Sequence, residues 1–157
     1  MGAVETGTLH HTCFVVRDLE TTARMLADSL GVSWGVWTIT PGACTVHGRD
    51  VPYSFRVAVA QAGGANFELI EPAGGESVYV EHLAEKGEGF HHTCLIYPDR
   101  EALRAAKEEL LDQGRALIQT GEIGDAGEFC YFEMPEMNGA LELLCLAELP
   151  PPELTIG

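Results

Sequence analysis

Two stretches of this sequence repeat each other: LHHTCFVV at residues 9–16 and FHHTCLIY at residues 90–97. Both are apolar and have the length of a β-strand. Each is followed by a helix signal, because Asp18 and Asp99 stand where an N-cap is needed and apolar residues recur at helical spacing behind them. A strand followed by a helix, twice in one chain, indicates a duplicated module.

The remainder of each half corresponds as well. In both halves two strand-like runs precede a final apolar run that contains a glutamate, Glu68 in FELI and Glu142 in LELL. The order β-α-β-β-β therefore occurs twice, which predicts an α+β fold. We predict a first module at residues 8–72, a connector with a short helix at 73–89, a second module at 90–146, and a tail at 147–157. Three prolines in that tail predict an extended course over the surface without regular structure.

Four side chains at equivalent places in the repeats are candidate metal ligands: His11, Glu68, His92 and Glu142. A carboxylate within an apolar strand is costly to bury unless a partner compensates it. A single strand histidine is more often a core or edge residue, and a single glutamate more often faces solvent at an edge. The repetition favours ligands, and two imidazoles with two carboxylates suit Zn²⁺, Mn²⁺, Fe²⁺, Co²⁺ or Ni²⁺.

The histidines that precede His11 and His92 in the sequence are expected to contribute less to metal binding. Side chains alternate between the two faces of a strand, so His10 and His91 are predicted to point away from His11 and His92. Their loss is therefore expected to affect metal binding much less.

Composition excludes several function classes. The chain has 9 basic and 24 acidic residues and a formal net charge of −15, which disfavours nucleic acid and anionic membranes as partners. We see no signal peptide in MGAVETGTLHH and no apolar run long enough to span a bilayer. The five cysteines are odd in number and lack CxxC spacing, so we expect reduced thiols and a cytoplasmic location.

The chain resembles the vicinal-oxygen-chelate superfamily, which includes glyoxalases, bleomycin resistance proteins and dioxygenases. The resemblance is to its methylmalonyl-CoA epimerase and glyoxalase-like branch above all, and it covers about residues 8–146. It is most specific in ELIEPAGGESVYVEHLAEKGEGFHHTCLIYPD (68–99), GEIGDAGEFCYFEMP (121–135) and LELL (141–144). It implies two βαβββ modules that form a cupped mixed sheet around a metal cleft. The family's ligand positions fall on His11, Glu68, His92 and Glu142, with one divalent ion between them.

The resemblance also implies a reaction. We expect a metal-dependent isomerase, epimerase or lyase that acts on a small carbonyl or acyl-thioester substrate through a metal-stabilised enolate. Glu68 or Glu142 is expected to be the catalytic base. Epimerases of this branch have a further glutamate ahead of the third strand, where this chain reads HGRDVPYSFR (47–56). In this chain His47, Asp50 or Tyr53 could take the role of that glutamate as the second acid or base, or that group is absent.

A CoA thioester carries several phosphate charges, for which Arg49, Arg56 and Lys86 are the candidate partners. Two other functions stay open: a cleft-binding protein that sequesters an antibiotic or another small molecule, and an Fe(II) dioxygenase with two histidines and one glutamate as ligands. We also expect a homodimer, with a site formed within one chain or between two.

Overall fold

The computed structural model describes Gly2 and residues 7–157. Five residues of the segment in which we see no signal peptide, residues 1 and 3–6, lie outside this part of the chain. Within the described residues there are three α-helices: α1 (Leu19–Leu30), α2 (Val78–Glu85) and α3 (Arg100–Asp112). The strands are β1 (Thr8–Val15), β2 (Trp34–Ile39), β3 (Cys44–Val46), β4 (Tyr53–Ala62), β5 (Ala65–Gly75), β6 (Gly89–Ile96), β7 (Leu117–Ile123), β8 (Gly127–Met134), β9 (Gly139–Leu146) and β10 (Leu154–Ile156).

All ten strands form one sheet in the order β10-β2-β4-β5-β1-β6-β9-β8-β7-β3. The sheet is mixed, because β1 pairs with β5 and β6 pairs with β9 in parallel, whereas the other neighbours are antiparallel. The predicted α+β fold with a curled mixed sheet is confirmed. At its centre β1 and β6 run antiparallel with Thr12 opposite Thr93, so the two repeats meet at equivalent residues.

Helices α1 and α3 begin at the predicted caps Asp18 and Asp99, and α2 begins after Ser77. The side chains of Asp18, Ser77 and Asp99 accept hydrogen bonds from backbone N–H groups in the first turns of α1, α2 and α3. Two buried clusters belong to the outer surface of the sheet, one with α1 and one with α3, and a third fills the concave inner face. That inner face contains the ends of the four predicted ligands.

The two halves exchange their outermost strands. Strand β3, from the loop after β2, pairs with β7 in the second half. Strand β10, from the tail, pairs with β2 in the first half. The sequence analysis did not predict β3, and its prediction of a tail without regular structure is wrong for Leu154–Ile156. The error arose because the prolines end at Pro152, and the residues behind them are free to pair.

None of the helices in the described part of the chain has the length and apolar character needed to cross a bilayer.

Candidate metal centre

The structure brings His11, Glu68, His92 and Glu142 together within one chain. One ligand atom from each lies within 4.8 Å of the others, and all four residues are buried. Glu142 Oε2 is 3.0 Å from Nε2 of both histidines. Glu68 Oε1 is 3.2 Å from His11 Nε2 and 3.6 Å from His92 Nε2, and the two Nε2 atoms are 3.2 Å apart. The sequence analysis left open whether the site forms within one chain or between two, and these distances place all four side chains in one.

Strand pairing explains why the four side chains converge. Cys13 lies opposite Glu68 across β1 and β5, and Cys94 lies opposite Glu142 across β6 and β9. In both repeats the histidine is two residues before that cysteine, so it lies on the same face as the glutamate. Since β1 and β6 are adjacent, the two His–Glu pairs meet at the centre of the sheet.

The arrangement fits a divalent ion. Ligand bonds of about 2.1 Å place neighbouring donor atoms roughly 3.0–3.4 Å apart, and most of the observed separations lie in or close to that range. Glu142 Oε2 is buried and has no hydrogen bond of acceptable geometry, although two ring nitrogens lie at 3.0 Å. An orphaned carboxylate oxygen between two imidazoles indicates that its intended partner is a cation at their common centre.

Without a metal, the charges around His11 favour a proton on its ring. Burial acts to lower the pKa of His11, but the charge of Glu68 and close contacts with Cys94 and Glu142 raise it well above 6.5. Burial acts to raise the pKa of both carboxyls, but His11 and His92 hold each one below its ordinary value. The raised pKa of His11 therefore favours the protonated ring in the metal-free site, and a divalent ion has to displace that proton.

His10 and His91 do not point away from the ligands, and the prediction from strand alternation is wrong for both. Each is the extra residue of a β-bulge: the register between β1 and β6 shifts at His10 on one strand and at His91 on the other. The bulges turn each ring towards its neighbour. His10 Nδ1 lies 2.8 Å from His11 Nδ1, and His91 Nδ1 lies 2.7 Å from His92 Nδ1.

These contacts fix the orientation of the ligands. If His11 and His92 present Nε2 to a metal, their Nδ1–H groups donate to Nδ1 of His10 and His91. His10, His11 and Cys94 also come within 4.8 Å of one another. That group shares His11 with the quartet, and burial raises the pKa of the Cys94 thiol well above its ordinary value, so it is a poor ligand.

The quartet opens on a small cavity of about 70 Å³. Apolar side chains make up most of its lining, together with His10, Tyr131 and three of the four ligands, His11, Glu68 and Glu142. Tyr131 lies opposite Glu142 in the strand register, its ring centroid is 4.7 Å from that of His92, and its hydroxyl bonds that of Tyr79 at 2.8 Å. The sequence analysis missed Tyr131. Its place in the strand beside Glu142 was the available signal.

The proposed second acid or base is not found among His47, Asp50 and Tyr53. None of the three lines this cavity. His47 bonds Glu81 at 2.9 Å beside a separate, larger cavity, and Asp50 is exposed. Tyr53 is buried and its hydroxyl donates to the Thr120 carbonyl oxygen at 2.8 Å.

Comparison with known proteins agrees with this geometry. Residues 10–132 match the model of the glyoxalase/bleomycin resistance protein/dioxygenase superfamily. The chain belongs to this superfamily. No curated protein sequence matches it.

Several solved structures share its fold. Methylmalonyl-CoA epimerase from Mycobacterium tuberculosis superposes with a TM-score of 0.61 at 22% identity, covering 89% of this chain and 88% of that one. A methylmalonyl-CoA epimerase from Streptomyces coelicolor, in complex with 2-nitronate-propionyl-CoA, gives 0.57 at 18% identity, with 89% and 97% covered. A hypothetical protein from Bacillus halodurans gives 0.58 at 18% identity, with 92% and 98% covered. At these identities the likeness establishes a shared fold.

Proposed function

We propose that this superfamily member is a metal-dependent isomerase or lyase that removes a proton from the carbon beside a substrate carbonyl. The observation that carries the proposal is the buried quartet, in which Glu142 Oε2 lacks a hydrogen bond and faces two imidazole nitrogens beside an apolar cavity. A divalent ion bound there would act as a Lewis acid that polarises a carbonyl group and acidifies the neighbouring C–H bond.

Glu68 is the better candidate for the base. Its carboxylate is 3.6 Å from His92 Nε2, whereas Glu142 is 3.0 Å from both histidines, so Glu68 is held less closely. Its side chain is also the more exposed of the two, 11% against 6%. A carboxylate that leaves its ligand position more easily is better placed to take a proton from a substrate carbon. Glu142 remains the alternative.

The chain's other residues support a reaction that uses a single base. An epimerase needs an acid or base on each side of the carbon, and His47, Asp50 and Tyr53 do not reach the cavity. Tyr131 and His10 are the further polar groups in the lining, and each bonds a neighbouring side chain. The apolar lining leaves Glu68 or Glu142 as the group that takes the proton and returns it, and exchange of that carboxyl proton with solvent between the two steps would introduce deuterium.

The test is α-hydrogen exchange in D2O with a panel of thioesters, hemithioacetals and 2-oxo acids, followed by mass spectrometry. We expect about one divalent ion per chain and exchange that stops when a chelator removes the ion. The Glu68→Gln variant should lose exchange while it keeps most of its metal. The matched control is Glu81→Gln, a glutamate that bonds His47 outside the cavity.

Either of two results would favour a different function. Tight binding of an antibiotic or aromatic ligand by metal-free protein, without turnover, would identify a sequestering protein. Oxygen uptake by the iron-loaded protein would identify a dioxygenase in which one of the two glutamates is not a ligand. The homodimer and the cytoplasmic location stay predictions.

A further inference from the structure

We propose that the substrate of this site is a small carbonyl compound without phosphate or other anionic groups, enclosed on one side by Leu149 of the C-terminal tail. This inference rests on the proposed function and narrows its substrate class. The proposed substrate differs from the CoA esters that appear in the names of several structural neighbours.

The cavity beside the quartet sets the size and polarity of the substrate. Its volume of about 70 Å³ leaves room for about five to seven water-sized groups. The lining contains no lysine or arginine, and most of it is apolar, including Ile39, Phe55, Ile123, Phe129, Leu146 and Leu149. An apolar pocket with few polar atoms binds small uncharged molecules and penalises charged ones.

Electrostatics also oppose an anionic substrate. Two carboxylates and two neutral imidazoles around a divalent ion have no net charge, so the occupied centre does not attract anions by itself. The whole chain has a formal net charge of −15. A CoA ester, with several phosphate charges, is repelled by such a surface unless cations are clustered to receive it.

The chain does not provide such a cluster beside the quartet. Of its nine basic residues, all in the described part, eight have a basic nitrogen within 3.5 Å of a carboxylate, amide or carbonyl oxygen of the protein itself. Among the three candidates for a phosphate, Arg49 pairs with Glu76, Arg56 with Glu20, and Lys86 bonds Asn138. The larger cavity of about 680 Å³ is lined by Glu81, Glu85 and Glu133 as well as Lys86, which makes it unsuitable for phosphates.

Leu149 reaches the cavity because the tail crosses from the second half to the first. Its course is fixed directly after Leu149, where Trp37 Nε1 donates to the Pro150 carbonyl oxygen at 2.8 Å. The Glu153 carboxylate then accepts from the backbone N–H and the hydroxyl of Thr38, and β10 pairs with β2. These contacts fix the position of Leu149 in the cavity lining, where its side chain limits the length of a substrate.

The decisive experiment compares two probes that share a 1,3-dicarbonyl group: pentane-2,4-dione, which is small and uncharged, and acetoacetyl-CoA. Each is titrated into cobalt-loaded protein, and the cobalt absorption bands report binding at the metal. We expect pentane-2,4-dione to change the bands and acetoacetyl-CoA to bind at least about tenfold more weakly, because its phosphates find no basic residue in the cavity lining. Free CoA should not compete with pentane-2,4-dione.

The outcomes separate the two proposals. If acetoacetyl-CoA binds as tightly as pentane-2,4-dione, or more tightly, the substrate class is wrong while the metal site and its carbonyl chemistry stand. If neither probe changes the cobalt bands, the proposed function fails and the inference fails with it.

The Leu149→Ala variant tests whether Leu149 encloses the substrate. Loss of this apolar contact should weaken the binding of pentane-2,4-dione about three- to tenfold, with unchanged cobalt content. Leu111→Ala is the matched control, since Leu111 is a partly exposed leucine of α3 outside the cavity lining. Equal affinities for both variants would show that the tail is not part of the substrate site.

Discussion

The two repeats supply the same pair of candidate metal ligands but surround them differently. Opposite Glu68 in the strand register lies Val59, whereas opposite Glu142 lies Tyr131, whose ring also contacts His92. The bulge histidine of the second repeat, His91, is 4% exposed, whereas His10 is only half-buried. Duplication therefore explains the four ligands, and divergence around them leaves one His–Glu pair held closely and the other more loosely.

Removing a ligand is the largest perturbation of this comparison. His92→Ala and His11→Ala should each lower metal affinity by more than about 100-fold, because loss of an orienting partner alone already costs ten- to 100-fold. Competition with a chromophoric chelator measures the affinity. His47→Ala, which removes a histidine outside the quartet, should leave it unchanged. Retention of wild-type affinity by both ligand variants would refute the quartet.

Substitution of the two bulge histidines, His10 and His91, should have different effects in the two halves. His91→Ala and His10→Ala should each weaken metal binding about tenfold, since each removes the acceptor that orients a ligand ring. Only His91→Ala should also lower the free energy of unfolding by roughly 1–3 kcal/mol, because its ring is buried and hydrogen-bonded. Urea denaturation of metal-free protein checks this difference. Equal stability losses in both variants would contradict the asymmetry.

The proton on His11 makes metal binding dependent on pH. Because the pKa of His11 in the metal-free site lies well above 6.5, binding of a metal has to displace its proton over a pH range that extends above that value. Affinity should rise by up to about tenfold per pH unit and continue to rise above pH 6.5, the ordinary histidine pKa. Calorimetry in buffers of different ionisation enthalpy counts the released proton. An affinity that levels off at pH 6.5 would show that His11 is not protonated there.

The two glutamates give the smallest and most informative contrast. Glu142→Gln should lower metal affinity a few-fold more than Glu68→Gln, because Glu142 Oε2 is 3.0 Å from both histidines. Glu68→Gln should in turn reduce α-hydrogen exchange more than Glu142→Gln. The reverse order in both measurements would make Glu142 the base.

The sequence was sufficient to predict the fold class because the repeated HHTC stretches and the two apolar-flanked glutamates mark equivalent strands. The choice of His11 and His92 as ligands follows from that repetition and stays a prediction, as does the division into modules at 8–72 and 90–146. The bulges were not predictable from alternation, since an extra residue in one strand shows only in the register with its partner. The short strands β3 and β10 escaped notice because three residues are too few to show a pattern.

The tail that crosses between the halves also constrains the order of folding. Its bonds to Trp37 and Thr38 join residues 113 and 115 positions apart in the sequence. Closing a loop of this length has a high entropic cost, so these contacts are expected to form after the hairpins and helices of each half. The strands that bring the ligands together are therefore expected to assemble before Leu149 reaches the cavity, so that enclosure of the site is a late step in reaching the native state.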